Sequence, residues 1–170
     1  MGVSVTLYLD MDGVIADFFS LLAKENNVKH WKSIKDKELA LVKVRNTDFF
    51  NRIKKFDTAE TLIDYAMSLD DWGICSSPLR GDTMNSAYWK RVWLERHGWM
   101  PEVENCVFTS NKHKYAINRL TGEPNILVDD KQDNIIRWGA AGGIGIRYQA
   151  DEDDVYDAID QIEGAVDGIS

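Results

Sequence analysis

Residues 7–18 read Leu7-Tyr8-Leu9-Asp10-Met11-Asp12-Gly13-Val14-Ile15-Ala16-Asp17-Phe18. From residue 3 to residue 9 the chain mixes β-branched with apolar residues in alternation, and then stops at Asp10, Asp12 and Gly13. That pattern describes a buried strand ending in a polar turn. Outward from it the same sentence recurs. Residues 72–75, 103–108, 125–128 and 144–148 read as further strands, and all but the last run directly into Ser76-Ser77-Pro78, Thr109-Ser110 and Asp129-Asp130 respectively. Helical spacing fills the gaps. Ala59, Leu62, Ile63, Ala66 and Met67 form one apolar face behind a capping box of Asp57 and Glu60. Tyr88, Trp89, Val92 and Trp93 belong to a helix that Gly98 stops after His97. Residues 112–120 read as helical up to Gly122, residues 134–138 as another helix, and Val155, Ile159 and Ile162 mark a last one behind the acidic run 151–154, whose carboxylates suit a helix N-terminus.

Strands alternating with helices from residue 57 onward indicate an α/β fold: a Rossmann-like parallel sheet of about five strands with helices on both faces. Residues 18–56 break the alternation, with two or three helix-like pieces and many lysines. They are expected to form a small helical cap inserted after strand 1, leaving residues 1–17 and 57–170 as the core.

The 170 residues fit one domain with a small insertion. A 44% hydrophobic and 28% charged composition is that of an ordinary globular protein. The net charge of −8 argues against a stable nucleic-acid complex, which needs a basic face. The two cysteines, Cys75 and Cys106, lie in apolar runs and read as reduced core residues. With no leader-like start and no apolar stretch of membrane-spanning length, a cytoplasmic location away from membranes is expected. A homodimer is one assembly the sequence permits.

Four polar clusters follow expected strands: Asp10-Met11-Asp12, Ser76-Ser77, Asn111-Lys112 and Asp129-Asp130. In a parallel sheet the carboxyl ends of the strands share one edge, and ligands bind in the crevice there. Several carboxylates crowded together repel one another unless a divalent cation sits among them, and Mg2+ prefers such oxygen ligands. A lysine and a hydroxyl beside them complement a phosphate. A carboxylate nucleophile can form an acyl phosphate, and a second carboxylate two residues on could protonate the leaving oxygen and then activate water. Singly, each element reads as a solvated turn, a cap or a surface lysine. Only the ordered set at strand ends specifies phosphoryl transfer.

These residues resemble the haloacid dehalogenase (HAD) superfamily of phosphatases. The stretch from Leu7 to Val14 is similar to its first motif, and Ser76, Lys112 and Asp129-Asp130 to the second, third and fourth. Within it, Asp10 to Phe18, Ile74-Cys75-Ser76-Ser77-Pro78, Val107 to Lys112 and Ile126 to Asp130 most resemble the 5′(3′)-deoxyribonucleotidase family. The resemblance implies Asp10 as nucleophile and Mg2+ ligand. It implies Asp12 as general acid/base with its backbone carbonyl on the metal, Ser76 holding the phosphate, Lys112 neutralising it and Asp130 binding Mg2+. Asp129 stands where relatives often carry glycine and is expected behind the directly bound ligands. The string Lys112-His113-Lys114 leaves Lys114 as an alternative phosphate lysine. Phe18 resembles an aromatic that packs on the base. Ser77 and Arg80 follow the second motif, where they could meet substrate. Core packing for Phe18 and a surface charge for Arg80 are the plainer readings. Trp31 falls in the expected cap, while Trp89 and Trp93 are expected to pack on the sheet. His30, His97 and His113 show no cluster for catalysis or zinc, and His97 sits at a helix C-terminus that favours a cation. The substrate that the resemblance implies is a small phosphorylated molecule, a nucleoside monophosphate. Another metabolite or a nucleic-acid end, or a non-catalytic binding protein on this fold, are the competing readings.

Overall fold

In the computed structural model, residues 5–169 are described. Val3 and Ser4, at the start of the first expected strand, lie outside them. Five strands form one sheet in the order β3-β2-β1-β4-β5: β1 Leu7–Leu9, β2 Trp72–Ser76, β3 Cys106–Phe108, β4 Ile126–Asp129 and β5 Ile144–Arg147. Every pairing is parallel. The central strand β1 is buried along its whole length and pairs on both sides, Leu9 standing between Ile74 and Val128. Continuous apolar strands such as Ile126–Val128 are what a sheet covered on both faces requires.

Alternation of side chains along the strands divides the core in two. On one face Leu7, Leu9 and Ile74 pack with Leu62, Ile63 and Ala66 of α4 (Ala59–Met67), Trp93 and Leu94 of α5 (Thr83–His97), and Val155, Ala158 and Ile162 of the last helix, Val155–Ile169. On the other, Tyr8, Cys75, Val107 and Leu127 pack with Trp138 of the helix Gln132–Ala140. Between β1 and β2, residues 18–56 carry α1 (Phe18–Glu25), a 3-10 turn (Trp31–Ser33), α2 (Lys37–Lys43) and α3 (Phe49–Arg52). Asp17 caps α1 by accepting from Ser20 N at 3.2 Å, and Asp36 caps α2 by accepting from Leu39 N at 2.9 Å. The helices that follow β4 and β5 are numbered α6 and α7.

Several local expectations are corrected. The helix α4 starts after Thr58, with no side-chain cap; Ala59 N donates to Phe56 O, and Glu60 pairs outward with Lys55 instead of reaching back to Asp57. Residues 103–105 form a 3-10 turn ahead of β3. The helix expected over 112–120 is only a 3-10 turn, Lys112–Tyr115. Asn118 ends it: its side-chain Oδ1 accepts from Leu120 N and Thr121 N, while its backbone N–H donates to Glu123 O. Such a local loop competes directly with helix continuation. Trp93 does pack on the sheet, and its Nε1 also donates to Ile53 O at 2.7 Å, while burial pushes His97, stacked against Trp99, below its ordinary pKa. Among the described residues no helix is long and apolar enough to cross a membrane.

Candidate active site

Asp10 follows the last residue of β1 directly, and its N–H continues the ladder to Val128 O at 2.9 Å. The parallel register sets the ends of β2 and β4 on either side, so Asp129 stands level with it on one side and Cys75, just before Ser76, on the other. Asp10 is almost completely buried. Its Oδ1 lies 2.9 Å from Lys112 Nζ, which also donates to Asp129 Oδ2 at 2.6 Å. Asp129 is wholly buried and fully engaged, since Oδ2 also accepts from Asn134 Nδ2 at 3.0 Å and Oδ1 from Lys131 N at 2.9 Å.

One carboxylate oxygen from each of Asp10, Asp129 and Asp130 lies within 4.8 Å of the other two. Burial, and then the charges of Asp10 and Asp129, push the Asp130 carboxyl up to about 8. Burial and Asp10 raise Asp129 as well. Burial disfavours the charge on Lys112, but Asp10 and Asp129 outweigh it and hold its pKa above that of an ordinary lysine. A single ammonium among three carboxylates leaves negative charge uncompensated, and an oxygen-ligated divalent cation fits that donor set. Gly13, at φ +84°, makes the close approach feasible: a Cβ there would run into the Asp130 carboxylate.

Asp12 stands apart from this cluster. Its Oδ2 accepts from Lys90 Nζ at 2.9 Å, and Lys90 also donates to Ser76 Oγ at 2.8 Å and Ser77 O at 2.9 Å. Burial raises the Asp12 pKa and Lys90 opposes the rise. Lys90, only 1% exposed, comes from the middle of α5. It was missed in the sequence because α5 shows no apolar stripe there at first sight. The available signal was Ser86, Lys90, Trp93 and Leu94, spaced for one helix face, which places a lysine where an apolar residue belongs.

A cavity of about 560 Å3 opens above these groups. Asp10, Asp12, Phe18, Ser77, Arg80, Lys112 and Asp130 all line it, joined by Phe19, Trp31, Leu41 and Phe50 from residues 18–56. Ser76 and Asp129 lie directly behind its wall, both without solvent exposure. Lys114 is exposed and does not line the cavity. Arg80 is exposed at the rim, its carbonyl accepting from Arg45 Nε at 3.0 Å. Phe18 packs edge-on to Phe49 and stacks with Phe50, while Phe19 stacks with Trp31 at 4.9 Å between centroids.

No protein-family model matches the sequence, and no curated protein matches it either. Solved structures do. A predicted phosphatase from Clostridium acetobutylicum is similar at a TM-score of 0.55 and 13% identity, over 96% of this chain and 100% of the other. A HAD-superfamily hydrolase of subfamily IA from Geobacter sulfurreducens is similar at 0.57 and 12% identity, over 86% and 90% of the two chains. YfnB of Bacillus subtilis, assigned as a HAD-hydrolase and bound to magnesium, is similar at 0.53 and 15% identity, over 88% and 89%. The five-stranded parallel sheet and its covering helices are thus the fold of HAD-superfamily hydrolases.

Proposed function

We propose that this chain is a Mg2+-dependent phosphomonoester hydrolase that works through an aspartyl phosphate on Asp10. The observation that carries the reading is the convergence of Asp10, Asp129 and Asp130 with Lys112 at one sheet edge, under an open cavity. Asp10 and Asp130, backed by Asp129, would hold the cation, with the Asp12 carbonyl completing the set. When bound, it would offset the carboxylate charge and polarise the phosphoryl oxygens.

One Asp10 carboxylate oxygen attacks phosphorus as the bond to the leaving oxygen breaks. The bonding pair goes to that oxygen, which takes the proton of the Asp12 carboxyl and departs as the alcohol. Asp12, now a carboxylate, removes a proton from water as the water oxygen attacks the phosphorus. The bond to Asp10 breaks, and the Asp10 carboxylate and inorganic phosphate are released. Lys112 uses two N–H groups on Asp10 and Asp129 and directs the third at a phosphoryl oxygen.

Residues 18–56 serve as the cap that selects the leaving group, and the substrate is a nucleoside monophosphate, with deoxy forms preferred. The resemblance of the four motifs to 5′(3′)-deoxyribonucleotidases and the aromatic cavity wall of Phe18, Phe19, Trp31 and Phe50 support this. A panel of nucleoside monophosphates and sugar phosphates, assayed for phosphate release with Mg2+, tests it. Preference for sugar phosphates would remove the nucleotidase reading and keep the phosphatase. No release from any ester would remove both.

A further inference from the structure

Two lysines are buried at this site, and they are engaged differently. Lys112 lines the cavity and contacts Asp10 and Asp129. Lys90 does not line the cavity. An ammonium has three N–H donors and no more. Those of Lys90 are matched by Asp12 Oδ2 at 2.9 Å, Ser76 Oγ at 2.8 Å and Ser77 O at 2.9 Å, and the ring of Phe50 covers it at 4.9 Å from its centroid. Nothing is left for a substrate phosphate.

We infer that Lys90 is a positioning residue for leaving-group protonation: it fixes Asp12 against the Ser76-Ser77 turn so that the remaining carboxyl oxygen, Oδ1, meets the leaving oxygen. The helix α5 is the rigid support, since Trp93, one turn on, is buried and anchored to Ile53 O. The turn at the end of β1 and the turn at the end of β2 follow neighbouring strands. Lys90 joins the side chain of one to the hydroxyl and carbonyl of the other, while Phe50 ties both to the residues that wall the cavity. A hydrogen-bonded buried charge of this kind holds geometry to a fraction of an ångström, which proton transfer requires.

The inference rests on the proposed hydrolase, and leaving-group dependence separates the two. The value of kcat/KM reports the steps up to departure of the leaving group. A nitrophenolate leaves without a proton, whereas an alkoxide needs one. Lys90→Met is therefore expected to lower kcat/KM for an alkyl phosphomonoester about 100-fold, and that for para-nitrophenyl phosphate less than about 5-fold. Inhibition by inorganic phosphate should shift by less than about threefold, while Lys112→Ala should weaken it strongly and slow both esters alike. Added to Asp12→Asn, Lys90→Met should change alkyl-ester turnover by less than about threefold, because it acts through Asp12. Should Lys90→Met lose its native circular dichroism, Lys90→Gln, which keeps donors without the charge, is held to the same ratio. Equal losses on both esters, or weakened phosphate inhibition, would overturn the role assigned to Lys90. A wild-type protein that hydrolyses neither ester would instead overturn the hydrolase reading beneath it.

Discussion

At the carboxyl edge of the sheet, position is set by charge: Lys112 bridges Asp10 and Asp129, Lys90 bridges Asp12 and the Ser76-Ser77 turn, and both lysines are buried. Across the cavity, residues 18–56 set position by ring contacts, with Phe18 on Phe50 and Phe19 on Trp31, while their ion pairs such as Arg52 with Asp48 lie in solvent. Buried, hydrogen-bonded charges have narrow geometric tolerance, and losing one partner leaves another uncompensated. Ring packing tolerates substitution better and changes by degrees. Under the proposed function, one wall would carry chemistry that admits no variation, and the other a choice among leaving groups.

That contrast can be broken at the edge first. Asp10→Asn removes the proposed nucleophile and a metal ligand together, and turnover should fall below about a thousandth of wild type with the melting temperature preserved or raised. Retained activity of a few per cent would contradict it. Chelation should abolish turnover, with Ca2+ restoring little of it because its larger shell disturbs in-line attack. Mg2+ should also stabilise the metal-free protein, by about 2.7 kcal/mol at a hundred times its dissociation constant. Asp130→Asn should remove that stabilisation while relieving the repulsion among the carboxylates, so that the metal-free melting temperature does not fall. Calorimetric or fluorescence melting with and without Mg2+ checks both.

Lys112→Ala should cost at least about 100-fold in kcat/KM, and Lys114→Ala less than about threefold, since Lys114 lies in solvent away from the cavity. The reverse ranking would misplace the phosphate site. Effects at the ring wall should depend on the substrate. Trp31→Ala and Phe18→Ala should each weaken kcat/KM for a nucleoside monophosphate by roughly 5- to 150-fold, the equivalent of about 1–3 kcal/mol of base stacking, and barely change para-nitrophenyl phosphate. Phe18→Ala should lower the melting temperature as well, because its ring packs on the fully buried Phe49. Equal kinetic losses on both substrates would make these rings core residues only.

What was legible in the sequence follows the same division. The strands announced themselves because each is an apolar run broken by a polar turn, and a parallel sheet turns that local pattern into a shared edge. Asp10, Asp12, Lys112 and Asp130 could thus be gathered from positions over a hundred residues apart. Lys90 was harder to gather, because it sits mid-helix and not after a strand, and only its spacing with Ser86, Trp93 and Leu94 marks its face as buried. The loop at Asn118 was misread for a related reason: side-chain hydrogen bonds to Leu120 and Thr121 overrode a plausible helical spacing. The packing of Phe18 within residues 18–56 depends on Phe49 and Phe50, some thirty residues on, and no periodicity connects them.

The central claim is a covalent intermediate on Asp10, and the Asp12→Asn variant tests it most directly. With para-nitrophenyl phosphate the leaving group needs no proton, so Asp10 should still be phosphorylated, but water is no longer activated and the intermediate should accumulate. Acid quenching of this variant with radiolabelled substrate is expected to leave label on the peptide that contains Asp10, labile to hydroxylamine and absent when Asp10→Asn is added. Nitrophenol release without protein-bound label, or label on Ser77 instead, would contradict the mechanism.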